Sequence, residues 1–400
     1  MIRAVRRLRD PLGWEWAQQT GLLAAQKARL FHTGLPGYEP TPLRALPALA
    51  RHLGLSKIWV KDEAGRFGLK AFKALGGSYA IARTLSDRLG AAQCLSLEQL
   101  RSGDARLQLG DICLVTATDG NHGAGIAWTA RQLNYPARVY MPRGTARERV
   151  RMIESLGAQA VVTPYNYDGT ARLAFQAARE NSWLLAQDTT FEGYELFPAY
   201  CMTGYGTLSL ETLEALEQEV ERPTHVLIQA GAGTLAASVA GFFAQLWPEA
   251  PPRLMVVEAD SCNAIQRTAE MNDGKLHSAP GSLETIMAGL SVGDVCTVAW
   301  QVLKSCADDF LCVSDDAAAD GMRVLGAPMG NDPRVISGES GAAGMGLLWR
   351  LMRDEALMGL ADQLGLNDHA RVLCFNTEGD TDPENYRRVV WEGAYGKART

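Results

Sequence analysis

The chain has 400 residues, of which 47% are hydrophobic and 21% are charged. This composition excludes a disordered or fibrous protein and allows a sizeable buried core. The 39 basic and 45 acidic residues give a net charge of −6, so no overall attraction to nucleic acid or to an anionic membrane is expected. The eight cysteines form no C-x-x-C pair, which argues against a zinc ribbon or a redox motif.

The first residues are basic, but they lead to Asp10 and Glu15 rather than to an apolar segment, so no secretion signal is predicted. The stretch Pro223–Pro248 carries no Lys, Arg, Asp or Glu and is long enough to cross a bilayer. Because it contains His225, Gln229 and several glycines, we interpret it as a buried strand, a loop and a helix. We therefore expect a cytoplasmic protein with a small-molecule partner.

Short β-branched runs alternate with longer Ala- and Leu-rich segments, which predicts an α/β protein with mostly parallel sheets. The predicted strands are Ile58–Val60, Ile112–Val115, Ala137–Tyr140, Ala160–Val162, Val226–Ile228, Leu254–Val257 and Val372–Phe375. The predicted helices include Gly123–Leu133, Ala146–Leu156 and Gly169–Arg179.

The segment Val115–Val162 has a β-α-β-α-β pattern, which predicts a smaller lobe inserted into the chain. The strands within Thr224–Val257 and Val372–Thr377 are expected in a second sheet. Ligands of such sheets bind at the carboxyl ends of strands, beside glycine-rich turns. The predicted domains are a large one from residues 1–80 and 196–400 and a smaller α/β one from residues 81–195.

One candidate site is a lysine just before a Gly-Gly-Ser turn. Lys73 precedes Gly76-Gly77-Ser78 and is flanked by Phe72 and Leu75. An apolar pocket lowers the pKa of an amine, and a neutral amine can attack an aldehyde to form a Schiff base. The spacing equally allows a surface lysine at a helix start, and Lys70 is an equal candidate for the reactive amine.

Two turns between a strand and a helix are candidate anion sites. One is Thr118-Asp119-Gly120-Asn121-His122-Gly123, and the other is Gly231-Ala232-Gly233-Thr234-Leu235. Each presents backbone N–H groups at a helix N-terminus, where they can bind a carboxylate or a phosphate. Taken alone, Asp119 is equally a helix cap, His122 a packing residue, and the glycine loop an imperfect dinucleotide motif.

Two later polar turns, Ser337–Ala342 and Asn376–Pro383, carry carboxylates and hydroxyls and are individually consistent with ordinary capping. In combination and order, these features resemble the fold-type II pyridoxal-phosphate enzymes. This is the tryptophan-synthase-β-like family, which includes the serine and threonine dehydratases. Within it, the chain is most similar to the diaminopropionate ammonia-lyases.

The resemblance covers roughly residues 38–395, nearly the whole chain. The segments that carry it are Tyr38–Leu43, Lys61–Glu63, Arg66–Gly77, Thr118–Gly123, Gln187–Thr189, Glu192–Tyr194, Met287–Leu290, Gly330–Pro333, Ser337–Ala342 and Thr377–Asp382. The fold it implies has two lobes, each with a mostly parallel twisted sheet flanked by helices, and an active site between the lobes. It also implies a homodimer.

The resemblance implies pyridoxal 5'-phosphate as the cofactor and Lys73 as the Schiff-base lysine, whose freed amine then acts as a base. It implies that Asn121 contacts the ring oxygen of the cofactor and that Thr377 lies near the pyridine nitrogen. The loop from Gly231 to Leu235 would hold the phosphate, and no metal site is expected. The other expected cofactor contacts are Gly338 and Glu339.

Asp119 distinguishes this chain from the related dehydratases, which typically carry serine or another small neutral residue in that turn. A negative charge favours a substrate with a second ammonium group, such as 2,3-diaminopropionate. We hypothesise that Lys73 removes the Cα proton of the L-isomer, Asp119 that of the D-isomer, and that Asp188 holds the β-ammonium. Thr118 and His122 are expected beside the substrate. Elimination and hydrolysis would give pyruvate and two ammonia.

Three alternatives remain open from the sequence. A serine or threonine dehydratase would share the cofactor and the elimination chemistry, but Asp119 argues against it. A nicotinamide-dependent oxidoreductase would use the Gly231 loop but would leave Lys73 unexplained, and no G-x-G-x-x-G opens the first βαβ unit. A non-catalytic binding protein would have no need for Lys73, Asp119, Asn121 and Asp188 together.

Overall fold

The computed structural model describes residues 2–7, 9–118, 120–190 and 193–396. Its strands are β1 (Ala4–Arg6), β2 (Leu43–Ala45), β3 (Lys57–Asp62), β4 (Leu114–Ala117), β5 (Ala137–Met141), β6 (Gln159–Val162), β7 (Leu184–Leu185), β8 (His225–Gln229), β9 (Arg253–Ala259), β10 (Asp309–Val313) and β11 (Arg371–Asn376).

The helices occupy the connections between these strands. They are α1 (Trp14–Thr20), α2 (Leu22–His32), α3 (Pro47–His52), α4 (Lys73–Arg88), α5 (Leu97–Arg101), α6 (Gly103–Leu109), α7 (Asn121–Leu133), α8 (Arg147–Ser155), α9 (Tyr167–Asn181), α10 (Leu196–Glu219), α11 (Thr234–Leu246), α12 (Ala264–Met271), α13 (Thr297–Cys306), α14 (Asp315–Gly326), α15 (Ala343–Arg353), α16 (Met358–Leu364) and α17 (Pro383–Val390).

The larger sheet has the strand order β1-β10-β9-β8-β11-β3-β2. Its five central strands are parallel, and β1 and β2 add short antiparallel edges. Side chains alternate along β3, so that Trp59 packs into the core on one face and Ile58 and Val60 into the core on the other. Both faces are therefore buried, and the predicted strands around Val226, Leu254 and Val372 are confirmed in this sheet.

The smaller sheet has the order β6-β5-β4-β7, and all its strands are parallel. Strands β4, β5 and β6 alternate with α7 and α8, which confirms the predicted β-α-β-α-β unit. The fold is thus the expected α/β architecture with two sheets flanked by helices. The domain boundaries at residues 80 and 196 stay a prediction. The first of them falls inside helix α4.

Helix α4 begins at Lys73 and is held in place by two neighbouring helices. A Cβ atom on Gly204 of α10 would come 2.5 Å from the carbonyl oxygen of Leu75, so the two helices approach backbone to backbone. A Cβ on Gly125 of α7 would come 3.0 Å from the Cα of Ala74. These contacts fix the first turn of α4 and the lysine that it carries.

The uncharged stretch Pro223–Pro248 forms β8, a glycine loop and α11, as predicted. Within the described ranges, no helix combines the length and the apolar composition that crossing a bilayer requires. All eight cysteines are free thiols, and six of them are buried.

Candidate active site

A pocket opens where β4, β8 and β11 end and where α4 begins. Its empty volume is about 940 Å³, with the solvent at its mouth included. Most of the predicted site residues line it, namely Lys73, Thr118, Asn121, His122, Asp188, Gly231, Ala232, Gly233, Thr234, Leu235 and Thr377. Residues from both sheets therefore meet in one place, as the carboxyl-end rule predicts.

Lys73, Asp188 and His122 form a chain of contacts in the pocket wall. Lys73 Nζ donates a hydrogen bond to Asp188 Oδ2 at 2.5 Å, and His122 Nδ1 lies 3.5 Å from the same oxygen. His122 Nε2 lies 2.8 Å from the carbonyl oxygen of Ala186, which can only accept, so the proton of a neutral ring belongs on Nε2. Nδ1 then faces Asp188 as an acceptor, and it is buried without a hydrogen-bond partner among the described residues.

The protonation states of this chain follow from its burial and charges. Burial alone would raise the pKa of Asp188, but the neighbouring His122 and the Lys73 ammonium outweigh it and hold that pKa well below its usual range. Burial lowers the pKa of His122 by more than Asp188 raises it. At neutral pH the pocket thus contains an ionised carboxylate and a neutral imidazole.

Lys70 is excluded from the pocket, which decides between the two candidate lysines. Its ammonium pairs with Asp380 at 2.7 Å, and its side chain is 42% exposed. The Lys73 side chain is 19% exposed and lines the pocket. Of the two lysines, the one at the first position of α4 is therefore the one that a ligand in the pocket can reach.

The turn after β4 is shaped by Thr118, whose hydroxyl accepts hydrogen bonds from the backbone N–H groups of Gly120 and Gly123 at 3.0 and 3.2 Å. A Cβ on Gly123 would come 2.3 Å from the methyl carbon of Thr118, so only glycine fits there. Asp119 lies outside the described residues, as does Glu192 of the later motif. The turn leads directly into α7, which begins at Asn121.

The loop after β8 forms a cradle for an anion. Gly233, the residue before α11, has φ +103°, a conformation that glycine adopts readily. A Cβ on Gly231 would come 3.0 Å from the carbonyl oxygen of Gly289 across the cleft. The first N–H groups of a helix have no partners within it, and Thr234 and Leu235, which begin α11, line the pocket.

The hydroxyl of Thr377 is oriented by Gln229. Gln229 Nε2 donates to the carbonyl oxygen of Phe375 at 2.9 Å and to Thr377 Oγ1 at 3.0 Å. Because this hydroxyl oxygen accepts from Gln229, its own proton remains available to an acceptor in the pocket.

Two predicted cofactor contacts, Gly338 and Glu339, are not among the residues that line the pocket, and they stay a prediction. Gly338 lies against Glu378, since a Cβ on Gly338 would come 2.9 Å from Glu378 Oε1. Glu339 is instead bound by the side-chain amide of Asn385. In this turn the pocket is lined by Ser340.

Sequence reasoning assigned no role to several residues that line the pocket. Arg149 comes from α8, a helix whose pattern of charges is typical of a solvent-exposed surface. Tyr167 accepts a hydrogen bond from Gln187 Nε2 at 3.0 Å, and this glutamine belongs to a motif that the resemblance already included. The others are Thr189, Ser291, Ser340 and Glu378.

Comparison with known proteins agrees with this geometry. A family described as "pyridoxal-phosphate dependent enzyme" matches residues 35–362. The chain belongs to this family. Among the relatives of this pyridoxal-phosphate-dependent enzyme, the diaminopropionate ammonia-lyase of Escherichia coli K12 is 45% identical over 376 residues, which cover 94% of this chain and 93% of the relative.

A crystal structure of the Escherichia coli diaminopropionate ammonia-lyase with an aminoacrylate-PLP azomethine reaction intermediate has a TM-score of 0.90 and 42% identity, covering 100% of this chain and 99% of that chain. The biosynthetic L-threonine dehydratase of Haemophilus influenzae is 26% identical, over 80% of this chain and 54% of its own length. The chain is thus more similar to these ammonia-lyase relatives than to that dehydratase.

The residues in the pocket fit pyridoxal phosphate. A Cβ on Gly231 would crowd Gly289 and Val292 in the pocket wall, and the start of α11 offers backbone N–H groups suited to a phosphate. Lys73 lies in the same pocket, where its amine can reach the aldehyde, and the Thr377 hydroxyl retains a proton for the ring nitrogen. The pocket therefore offers a partner for each of three groups of the cofactor: its phosphate, its aldehyde and its ring nitrogen.

Proposed function

We propose that this enzyme eliminates ammonia from 2,3-diaminopropionate and releases pyruvate and a second ammonia, with one water consumed. The observation that carries the proposal is the Asp188 carboxylate, which is buried in the pocket and lies 2.5 Å from Lys73 Nζ. A serine or threonine substrate has no second cation to pair with such a group. The similarity to diaminopropionate ammonia-lyases over nearly the whole chain supports the same conclusion.

We assign to Lys73 both the attachment of the cofactor and the transfer of the substrate's Cα proton. When bound, pyridoxal phosphate withdraws electrons from Cα and so makes this proton removable. Once the substrate has displaced the lysine, Nζ is a free amine that can take the proton. In the structure, Asp188 stabilises the ammonium form of that amine.

We assign to Asp188 the binding of the substrate's β-ammonium. When Lys73 is joined to the cofactor, Asp188 loses its ammonium partner and retains only the neutral His122 nearby. A buried carboxylate without a cation is unfavourable, so an incoming ammonium is bound strongly at this position. The β-nitrogen, bound as ammonium, leaves as neutral ammonia and takes with it the electron pair of the broken C–N bond.

Asp119 remains our candidate for the base that acts on the D-isomer, on the evidence of the sequence. We expect the substrate carboxylate to bind at the start of α7, next to Thr118, because the N-terminus of a helix attracts anions. Asn121 and the Gly231–Leu235 loop are proposed cofactor contacts, as is Thr377.

The test is turnover of D- and L-2,3-diaminopropionate by the purified enzyme with pyridoxal phosphate, with pyruvate measured through lactate dehydrogenase. We expect pyruvate from at least one isomer at a rate well above that from serine or threonine. Turnover of serine or threonine alone would replace this proposal with a dehydratase. A protein that takes up no pyridoxal phosphate would overturn the proposal altogether.

Two variants test the lysine assignment with a matched control. Lys73→Ala should abolish pyruvate formation, and borohydride should no longer attach the cofactor to the chain. Lys70→Ala removes a lysine three positions earlier that points to the surface, and it should retain both properties. Equal losses in the two variants would contradict the assignment.

Asp119→Asn and Asp188→Asn separate the roles of the two carboxylates. Asp119→Asn should lower turnover of the D-isomer far more than that of the L-isomer, whereas Asp188→Asn should impair both. Equal losses for the two isomers in Asp119→Asn would contradict a two-base mechanism.

A homodimer and a cytoplasmic location remain part of the proposal. Leu23 and Leu30 on α2 and Leu196 at the start of α10 are 65%, 76% and 64% exposed. Exposed apolar side chains of this kind support the proposal that a second copy of the chain binds there. Light scattering of the purified protein would test the dimer, and a monomer at micromolar concentration would contradict it.

A further inference from the structure

Glu378 is a buried acid in the wall of the pocket. It follows Thr377 in the turn after β11, and it is 5% exposed. Its Oε2 accepts a hydrogen bond from Asn121 Nδ2 at 2.5 Å, and its Oε1 accepts one from the backbone N–H of Ser340 at 3.0 Å. It thus contacts directly the side chain that we assign to the ring oxygen of the cofactor.

Within the described part of the chain, no Lys, Arg or His nitrogen lies within 4.0 Å of this carboxylate, although Arg149 lines the same pocket. The other nearby acid is Glu339, whose pKa is raised to about 7, first by burial and then by Glu378. A buried carboxylate whose direct partners are neutral donors is costly in free energy, and its hydrogen bonds offset part of that cost. Here one of those bonds reaches into the pocket.

The bond to Glu378 determines which way the Asn121 amide faces. An amide can present either its oxygen or its nitrogen to a neighbour, but an ionised carboxylate only accepts. Glu378 therefore fixes Nδ2, rather than Oδ1, on its own side. One N–H of Nδ2 is used by Glu378, and the second remains to donate to another acceptor in the pocket.

Glu378 itself is held rigidly. The backbone N–H of Phe72 donates to the carbonyl oxygen of Thr377 at 3.2 Å, and that of Gly379 donates to Lys70 at 2.9 Å. A bridge between Ala71 and Glu378 lies between these two bonds. The turn that carries the carboxylate is thus joined to the segment immediately before Lys73.

We propose that Glu378 is a positioning residue that acts through Asn121, by orienting the amide so that its nitrogen donates to the ring oxygen of pyridoxal phosphate. The inference rests on the proposed cofactor contact of Asn121. An N–H donor at this oxygen stabilises its ionised form, which strengthens cofactor binding and affects the visible absorbance of the bound cofactor.

The test compares Glu378→Gln with Asp380→Asn, which removes the charge of an acid in the same turn that pairs with Lys70 and does not line the pocket. A glutamine can donate as well as accept, so Asn121 is free to turn its oxygen to either side. We expect Glu378→Gln to raise the dissociation constant of the apoenzyme for pyridoxal phosphate about tenfold, the effect of one charge-assisted hydrogen bond. Its visible absorbance band should shift or weaken, and Asp380→Asn should change neither property.

A double mutant distinguishes positioning from a general structural role. If Glu378 acts through Asn121, adding Glu378→Gln to Asn121→Ala should produce no further loss of affinity. Additive losses, or a Glu378→Gln variant with the affinity and spectrum of Asp380→Asn, would overturn the inference. Glu378→Asp retains the charge but shortens the reach, so it should behave like the glutamine variant and provides the test if the latter does not fold.

The outcome is separable from that of the proposed function. A wild-type enzyme without a visible cofactor band would refute the cofactor assignment itself. Unchanged affinity and spectrum in Glu378→Gln, together with normal pyruvate release, would refute only the role of Glu378.

Discussion

Removing the charge of Glu211 should destabilise the protein strongly, because this carboxylate lies in a buried cluster of four ionised side chains. Glu211 on α10 accepts from Lys61 Nζ at 2.6 Å and from Arg66 at 2.7 and 2.9 Å. Arg66 also binds Glu63 through two nitrogens, at 2.8 and 2.9 Å. The side chains of all four residues are at most 1% exposed.

The cluster contains two positive and two negative charges and is therefore neutral. Glu211→Gln would leave one buried positive charge without a counter-ion, which costs about 3–5 kcal/mol of unfolding free energy. Glu214→Gln on the same helix is the matched control. Glu214 pairs with Arg29 at the surface with its side chain 46% exposed, so its loss should cost at most about 1 kcal/mol.

Urea unfolding monitored by tryptophan fluorescence and by circular dichroism measures both variants, and coincident transitions justify a two-state analysis. A difference of less than about 1 kcal/mol between Glu211→Gln and Glu214→Gln would refute the reasoning.

The effect should also depend on pH. Burial alone would raise the pKa of Glu211, but Lys61 and Arg66 outweigh it and hold the pKa below its ordinary value of 4.5. The stabilisation is therefore present above pH 4.5 and lost as the pH falls below it.

Three further predictions concern single residues near the pocket or in the core. Gly125→Ala would place a Cβ 3.0 Å from the backbone of Ala74 and shift the start of α4, so turnover should fall while the bound cofactor is retained, as its absorbance would show. Gly231→Ala would meet the Gly289 carbonyl oxygen at 3.0 Å and should weaken pyridoxal-phosphate binding, whereas Gly359→Ala, which meets no atom within 4 Å, should not. Burial lowers the pKa of His32 from 6.5 to about 3, so stability should decrease as the pH falls below 6.5, and urea midpoints should vary less with pH in His32→Gln.

Most of the strands that the sequence predicted are buried on both faces, and the exception is β6, an edge strand whose Val162 is exposed. Parallel strands between two layers of helices contain continuous apolar runs, such as Val226–Ile228 and Leu254–Val257, which are visible without an alignment. The edge strands β1 and β2 have three residues each and show no such run. Strand β10 was also missed, because it starts at the polar Asp309, which is buried only through its ion pair with Arg253.

The site was predictable to the extent that its residues follow strand ends. The turns at Thr118 and Gly231 follow β4 and β8, and the topology brings these ends together. The choice between Lys70 and Lys73 needed the family resemblance or the structure, since both lie beside α4. The sequence suggested Gly338 and Glu339 as contacts, but it could not show that Ser340 and Glu378 are the residues that line the pocket here.

The ion cluster and the pocket share one segment of chain, because Lys61 lies in β3 and Lys73 begins α4 shortly after it. A change in the ion cluster could therefore affect the affinity for the cofactor as well as the free energy of unfolding. Residues 70–72, however, are bound to residues 377–379 by backbone hydrogen bonds that do not involve the cluster. We therefore expect folded Glu211→Gln to bind pyridoxal phosphate within about twofold of the wild type. A large loss of affinity would show that residues 61–73 move as one body, and that the bonds to 377–379 do not hold Lys73 independently.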